Sequence, residues 1–203
     1  MNSNIVAGPR RSRATIMEEV AKVLRATDAS TNIEAAISRS RVSMQEVADT
    51  FGGKRELLLA MVSELSDAMS ASLSTDPTQP ELRTRLIEYG QCVADIYATS
   101  HLRSLYRIAI TESIRHTGLG RDFYDVGPGR LTQRLADFFK AAQASGELRR
   151  ADPQLLASHF LSLLRANVDM VEFCPRELAA DVFAVVDVFC DGVNGEHRHV
   201  EPA

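Results

Sequence analysis

Residues 31–57 read TNIEAAISRSRVSMQEVADTFGGKREL, and one helix-start signal occurs in them twice. Thr31-Asn32-Ile33-Glu34 has the capping-box spacing, in which the Thr hydroxyl and the Glu carboxylate each satisfy an orphan backbone donor. The helix it opens turns Ile33, Ala36 and Ile37 inward. About a turn after that helix ends, Ser43-Met44-Gln45-Glu46 repeats the signal and opens a second short helix, whose Val47 and Phe51 lie four apart. Gly52-Gly53 ends the pair. Two short capped helices joined by a tight turn, with a longer helix before them and a basic helix start after them, are the parts of a helix-turn-helix unit.

Working outward, Ile16, Val20, Val23 and Leu24 make the stripe of a first helix that fades near Thr27-Asp28-Ala29-Ser30. On the other side, Lys54 to Leu73 reads as a long helix with Leu57, Leu58, Met61, Val62, Leu65 and Met69 spread over a wide apolar face, joining two halves of the chain. Pro77 and Pro80 mark a stop and a new start, after which Leu82, Leu86, Tyr89, Val93, Ile96 and Tyr97 carry the next stripe. Leu102 to Ile114 keeps the helical period until Gly118-Leu119-Gly120, and Leu131, Leu135, Phe138 and Phe139 follow the break at Gly127-Pro128-Gly129. Asp152-Pro153 is an N-cap with proline at the first helical position, and Cys174-Pro175 places the last helix start similarly. No segment reads as strand. The expectation is an all-α chain with a three-helix helix-turn-helix domain at 1–57 and a larger helical domain at 58–203.

The last two helices are apolar on more than one face. Leu156, Phe160, Leu163 and Val171 lie on or near one face of the first, widened by Leu155, Leu164 and Val168. Leu178, Val182, Val185 and Phe189 form one stripe of the second, and Phe183, Val186 and Cys190 another. A terminal helix normally has one core to bury against, so the surplus points to a subunit interface, assigned to Leu156, Phe160, Leu163, Leu164, Val182, Val186 and Phe189.

The bulk numbers exclude several classes. The 203 residues are 45% hydrophobic and carry a net charge of −4, which neither describes a disordered chain nor announces a nucleic-acid binder. Charge is uneven, however. The first 57 residues hold nine basic and seven acidic groups, net +2, with clusters at Arg10, Arg11 and Arg13, at Arg39 and Arg41, and at Lys54 and Arg55. No apolar run spans a bilayer and Met1 to Arg13 lacks a signal core, so the chain reads as cytoplasmic with no membrane partner. Cys92, Cys174 and Cys190 suit core thiols in a reducing compartment. There is no GxSxG elbow, P-loop or GxGxxG, so no catalytic residue and no cofactor is assigned. His101, His116 and His159 are isolated and His197-Arg198-His199 lies in a polar tail, so no metal site is assigned either.

A helix-turn-helix reads base edges with the N-terminal side chains of its second helix while nearby cations neutralise phosphates. Here the readers are Ser43, Met44, Gln45, Asp49 and Thr50, with Gln45 foremost because its amide both donates and accepts. The phosphate contacts fall to Arg10, Arg11, Arg13, Arg41 and Lys54, with Thr50 also in reach.

The run Val42-Ser43-Met44-Gln45-Glu46-Val47-Ala48-Asp49-Thr50-Phe51-Gly52-Gly53-Lys54-Arg55-Glu56-Leu57 resembles the motif that ends the DNA domain of the tetracycline-repressor (TetR) family of bacterial regulators. Spacing matches without a gap from Ile16 onward, and Tyr106 to Glu112, Phe123-Tyr124, Pro128 to Leu131 and Gly146 to Pro153 resemble one subgroup's ligand domain. There are departures. Ala48 stands where the family has a Tyr that contacts the DNA backbone, Arg41 stands at the turn glycine, and Glu46 and Asp49 place carboxylates on the reading helix. Glu46 is accounted for as the capping partner of Ser43, while Asp49 is left to accept from a cytosine amino group. At Arg41 the turn either avoids a left-handed residue or accepts strain of about 1 kcal/mol.

The resemblance makes 58–203 a ligand-binding and dimerisation domain and implies a homodimer on a near-palindromic double-stranded DNA operator, released when a small molecule binds among the middle helices. Candidate lining residues are Met61, Leu65, Tyr89, Cys92, Ile96, Tyr106, Ile110, Phe123, Phe138 and Met170, most of which also suit a plain core. Their composition implies a largely apolar effector. The departures leave a second reading open, in which the same fold serves as a ligand or protein-interaction module without conventional DNA binding.

Overall fold

The computed structural model describes residues 11–26, 32–73, 81–115, 117–165 and 181–194. Among them the chain forms ten helices and no strand: α1 (Arg13–Ala26), α2 (Ile33–Arg39), α3 (Met44–Phe51), α4 (Lys54–Ser70), α5 (Leu82–Tyr97), α6 (Ser100–Ile114), α7 (Leu119–Val126), α8 (Pro128–Ala144), α9 (Pro153–Arg165) and α10 (Val182–Asn194). The start expected at Cys174-Pro175 lies outside the described residues, as do Val168, Val171 and Leu178. Two compact units emerge. One comprises residues 1–62 and 100–123, the other residues 63–99 and 124–203. The sequence boundary after Leu57 falls inside α4, whose first turns stay with the helix-turn-helix as far as Val62.

In the first unit α1 packs on α2, α3 and α6. Ile16, Val20 and Leu24 of α1 meet Ala36, Ile37, Val47 and Phe51 in one buried core. The last carbonyls of α1 have no helical partner of their own. Ser100 and Ser104, one turn apart on α6, supply hydroxyl donors to the carbonyls of Arg25 at 3.1 Å and Leu24 at 3.2 Å. His101 sits between these two serines with its Nε2 buried and lacking a hydrogen-bond partner. Arg55 ties the start of α4 to the α6–α7 junction, pairing with Asp122 and donating to the Thr117 carbonyl at 3.0 Å.

The second unit is built on α5, α8, α9 and α10, with α8 against α9, α5 against α10, and α9 touching both α5 and α10. Tyr89, Phe138, Phe139, Phe160 and Phe189 form its aromatic centre, with ring centroids 5.0–6.3 Å apart. Gly90 sets the approach of α10, because a Cβ there would stand 2.7 Å from Val182 Cγ1. Arg85 is buried, pairs with Glu147 and lies 5.1 Å over the Phe138 ring.

This packing corrects the interface assignment. Leu156, Phe160, Leu164, Val182, Val186 and Phe189 are all buried within the chain's own second unit. Of the seven residues assigned to a subunit interface only Leu163 is exposed, at 39%. The outward stripes are Leu155, Ser158, His159, Ser162 and Leu163 on α9, and Phe183, Ala184, Asp187 and Val188 on α10. The heavier stripe, which carries Phe160 and Phe189, took the interior because it fills the space around Phe139. On α4, likewise, part of the face read as apolar is lined by buried Ser66 and Ser70, whose Ser70 hydroxyl returns to the Ser66 carbonyl at 2.8 Å.

Candidate nucleic-acid interface

The second helix of the pair is fixed at its start by the reciprocal box read in the sequence. The Glu46 N–H donates to Ser43 Oγ at 3.1 Å, and the Ser43 N–H donates to Glu46 Oε2 at 2.9 Å. Gly52 closes the helix in the left-handed region at φ 95°, its N–H bonded to the Ala48 carbonyl at 2.9 Å. The first helix departs from expectation. Asn32 is its N-cap, accepting from the Glu34 N–H at 2.8 Å, and Glu34 instead forms an ion pair with Lys54. Thr31 lies outside the described residues. The turn is shaped by Ser40, which leaves α2 extended at φ −80° and ψ 175°, donates its hydroxyl to the Ile37 carbonyl at 2.7 Å and accepts from the Val42 N–H at 3.1 Å. This hydroxyl bridge organises the turn that contains Arg41.

On α3, Ser43, Met44, Gln45, Ala48 and Asp49 are exposed and Thr50 is half-buried. Gln45 Nε2 donates to Asp49 Oδ1 at 2.8 Å, so the carboxylate left without a partner in the sequence has one a turn away. Glu46 is also engaged. The Ser43 N–H and hydroxyl, followed by the nearby Arg11, hold its carboxyl below the usual range, and Arg11 Nη1 lies 3.5 Å from Glu46 Oε1. Both acidic groups of α3 are therefore engaged within the helix-turn-helix.

The cations are placed as follows. Arg11 donates to the Arg41 carbonyl, which braces the chain entering α1 against the turn. Arg13 donates to the Thr50 carbonyl at 3.2 Å and stacks 4.4 Å over the Phe51 ring. Arg39 and Arg41 are exposed. Arg10 lies outside the described residues. The pairs made by Arg11 and Lys54 are solvent-exposed and worth at most about 1 kcal/mol each, so exchange for phosphate oxygens is inexpensive. Arg55, which the sequence groups with Lys54 in a basic cluster, is instead the anchor to Asp122; its partner stands 67 residues away and no local pattern signals it.

The residues assigned to an effector divide between the units. In the first, Met61 and Phe123 are buried, Tyr106 is half-buried with its ring edge-on to Phe123 at 5.0 Å, and Ile110 is exposed. In the second, Tyr89 and Phe138 are buried, while Leu65, Cys92 and Ile96 are half-buried. Met170 lies outside the described residues, as does Cys174. The Tyr89 hydroxyl is buried without a hydrogen-bond partner, and burial pushes its phenol well up from the usual value. Cys92, one turn on along α5, donates to the Ala68 carbonyl at 3.6 Å; burial raises its thiol and that of Cys190. No group of three or more His, Cys, Asp or Glu suited to a metal ion occurs among the described residues, and no described helix is long and apolar enough to cross a membrane.

The model of the AefR-like transcriptional repressor C-terminal domain matches residues 84–190, more than half of the chain. No curated protein matches. Solved structures similar to it include a protein of Mesorhizobium loti MAFF303099 assigned to the TetR-family transcriptional regulators, with 22% identity, a TM-score of 0.70, and 90% of this chain and 98% of that one covered. The flavonoid-responsive regulator FrrA is 22% identical with a TM-score of 0.61, covering 88% of this chain and 97% of its own. The SmeT–triclosan complex is 18% identical with a TM-score of 0.65, covering 89% and 90%.

Proposed function

Because the chain belongs to the TetR family of transcriptional regulators, we propose that it acts as a homodimeric DNA-binding repressor whose operator affinity falls when a small, largely apolar effector binds. The observation that carries this reading is α3 itself: a helix with a fully formed capping box whose Gln45 stands exposed one residue inside the start. The reading without DNA binding drew its support from Ala48 and Arg41 as well as from the carboxylates on that helix. With Glu46 held by Ser43 and Arg11, and Asp49 by Gln45, the part of that support that came from the carboxylates is weaker, while Ala48 still lacks the ring and hydroxyl of a Tyr.

Dimerisation is assigned to the outward stripes of α9 and α10, where Leu155, Leu163, Phe183 and Val188 are 39–65% exposed beside the small Ser158, Ser162 and Ala184. Two copies related by a two-fold axis present two reading helices and match a near-palindromic site. The effector reading is supported by the buried, unpartnered Tyr89 hydroxyl, a polar anchor for one hydrogen-bonding group. FrrA responds to flavonoids and SmeT is complexed with triclosan, which suits an aromatic effector here. Residues 63–70 of α4 belong to the second unit and 54–62 to the first, so this helix is the assigned conduit of the signal. A coupling of about 1–3 kcal/mol changes operator affinity some 5- to 150-fold.

The test is a footprint of the purified protein on DNA upstream of its own coding sequence, alongside sedimentation equilibrium. A dimer protecting a site with two-fold symmetric halves is expected; a monomer, or no sequence-selective protection, contradicts the proposal.

A further inference from the structure

We infer that Arg13, the first residue of α1, is a positioning residue that fixes the roll of α3 and is not one of the phosphate contacts. The inference rests on the DNA-binding reading above. Of the eight residues of α3 only Val47 and Phe51 are buried, and they lie four apart in one row. A single row seats a helix along a line about which it can still rock. Rocking sweeps the side chains of the opposite face sideways, so contacts away from that line are needed to hold the angle.

Two arginines of the chain entering α1 supply them, one at each end of α3. Arg11 donates to the Arg41 carbonyl just before the helix and lies 3.5 Å from Glu46 Oε1. Arg13 works at the far end, where its Nη1 donates to the Thr50 carbonyl at 3.2 Å and its Cζ stands 4.4 Å from the centroid of the Phe51 ring. Carbonyls in the last turn of a helix lack intrahelical partners and carry the negative end of its dipole, so a cation is favoured there. The N–H bond lies in the plane of the guanidinium and the stack uses its face, so one side chain makes both. A lysine ammonium has no such plane and keeps at most one of the two contacts well. Swinging Arg13 out to a phosphate would give up carbonyl and ring together.

The experiment measures binding of the full chain and its Arg13→Gln and Arg13→Lys variants to the DNA protected in the footprint and to a scrambled duplex, over a salt series. Circular dichroism reads the helix content of each. Both variants should bind the protected site on the order of tenfold more weakly at every salt concentration, and the scrambled duplex within about twofold of wild type. The log–log salt slope of Arg13→Gln should match that of the wild type, whereas loss of a phosphate contact would make it shallower by about 0.9. In a Phe51→Leu chain the stack is already gone, so adding Arg13→Lys should cost less than about threefold. Wild-type affinity in either Arg13 variant, a shallower slope for Arg13→Gln, or the full loss from Arg13→Lys on the Phe51→Leu background overturns the inference and leaves DNA binding standing. An Arg13 variant that loses its helix content at the assay temperature overturns it as well, because Arg13 would then be needed for folding itself. A wild-type chain with no selective binding overturns both.

Discussion

Ser43 and Glu46 each satisfy a backbone donor of the other, and neither bond survives truncation of its side chain. Ser43→Ala is expected to lower stability by about 1 kcal/mol, read as a reduced urea midpoint with an unchanged slope. Such a pair is legible because it depends only on residues three apart. At the first helix the same logic slipped by one residue: Asn32 caps as well as Thr does, and Glu34 had an ion pair with Lys54 that no local spacing announces. The Gln45–Asp49 bond lies at a spacing of four, within reach of sequence reasoning, yet a carboxylate beside a groove invites a base partner before an intrahelical one. His101 gives a pH prediction. Burial, and then the nearby Arg25, push its imidazole from 6.5 down to about 4, opposed by Glu18. Between those values the unfolded chain binds a proton that the folded chain refuses, so stability falls as pH drops from about 6.5 toward 4. Thermal denaturation at pH 7.5 and pH 5 should show the wild type losing roughly 1–2 kcal/mol more on acidification than His101→Phe.

Helices carry the next level, and here periodicity located the elements better than it oriented them. The starts of α3, α5, α8 and α9 fell where capping residues or prolines predicted, as at Asp152, whose carboxylate accepts from the Gln154 and Leu155 N–H groups at 2.8 and 3.2 Å. Which stripe of α9 and α10 faces inward was not legible, because both sides are apolar and the choice depends on Phe139, supplied by α8. Close approach was also hidden, since a glycine in a helical stripe looks the same whether or not a neighbour presses on it. Gly90 is such a site. A methyl group added there would press on Val182, a short branched side chain with little room to yield, so Gly90→Ala should destabilise by about 1–3 kcal/mol. Adding Val182→Ala should recover part of that loss, measured as a non-additive double-mutant cycle. Equal and additive losses would show that the two helices do not meet there.

Assembly of the full protein is assigned to the faces that each chain leaves uncovered. Leu163→Glu and Phe183→Glu alter exposed positions, so each should leave thermal stability of the monomer fold nearly unchanged while shifting the proposed dimer toward monomer in light scattering. The buried Phe160 is the contrasting case, and its truncation to alanine should cost about 3–5 kcal/mol through the cavity it leaves. The net charge of −4 conceals a first segment of net +2, which is why bulk composition does not announce a DNA binder while the local clusters offer phosphate contacts. Operator recognition is tested most directly by fluorescence anisotropy of the purified protein on duplex DNA from its own upstream region and on a scrambled duplex, over a salt series. The expected result is selective binding to the upstream duplex, with an affinity that falls with salt at a log–log slope of roughly −4 or steeper. Weak binding, indistinguishable between the two duplexes at every salt concentration, would contradict it.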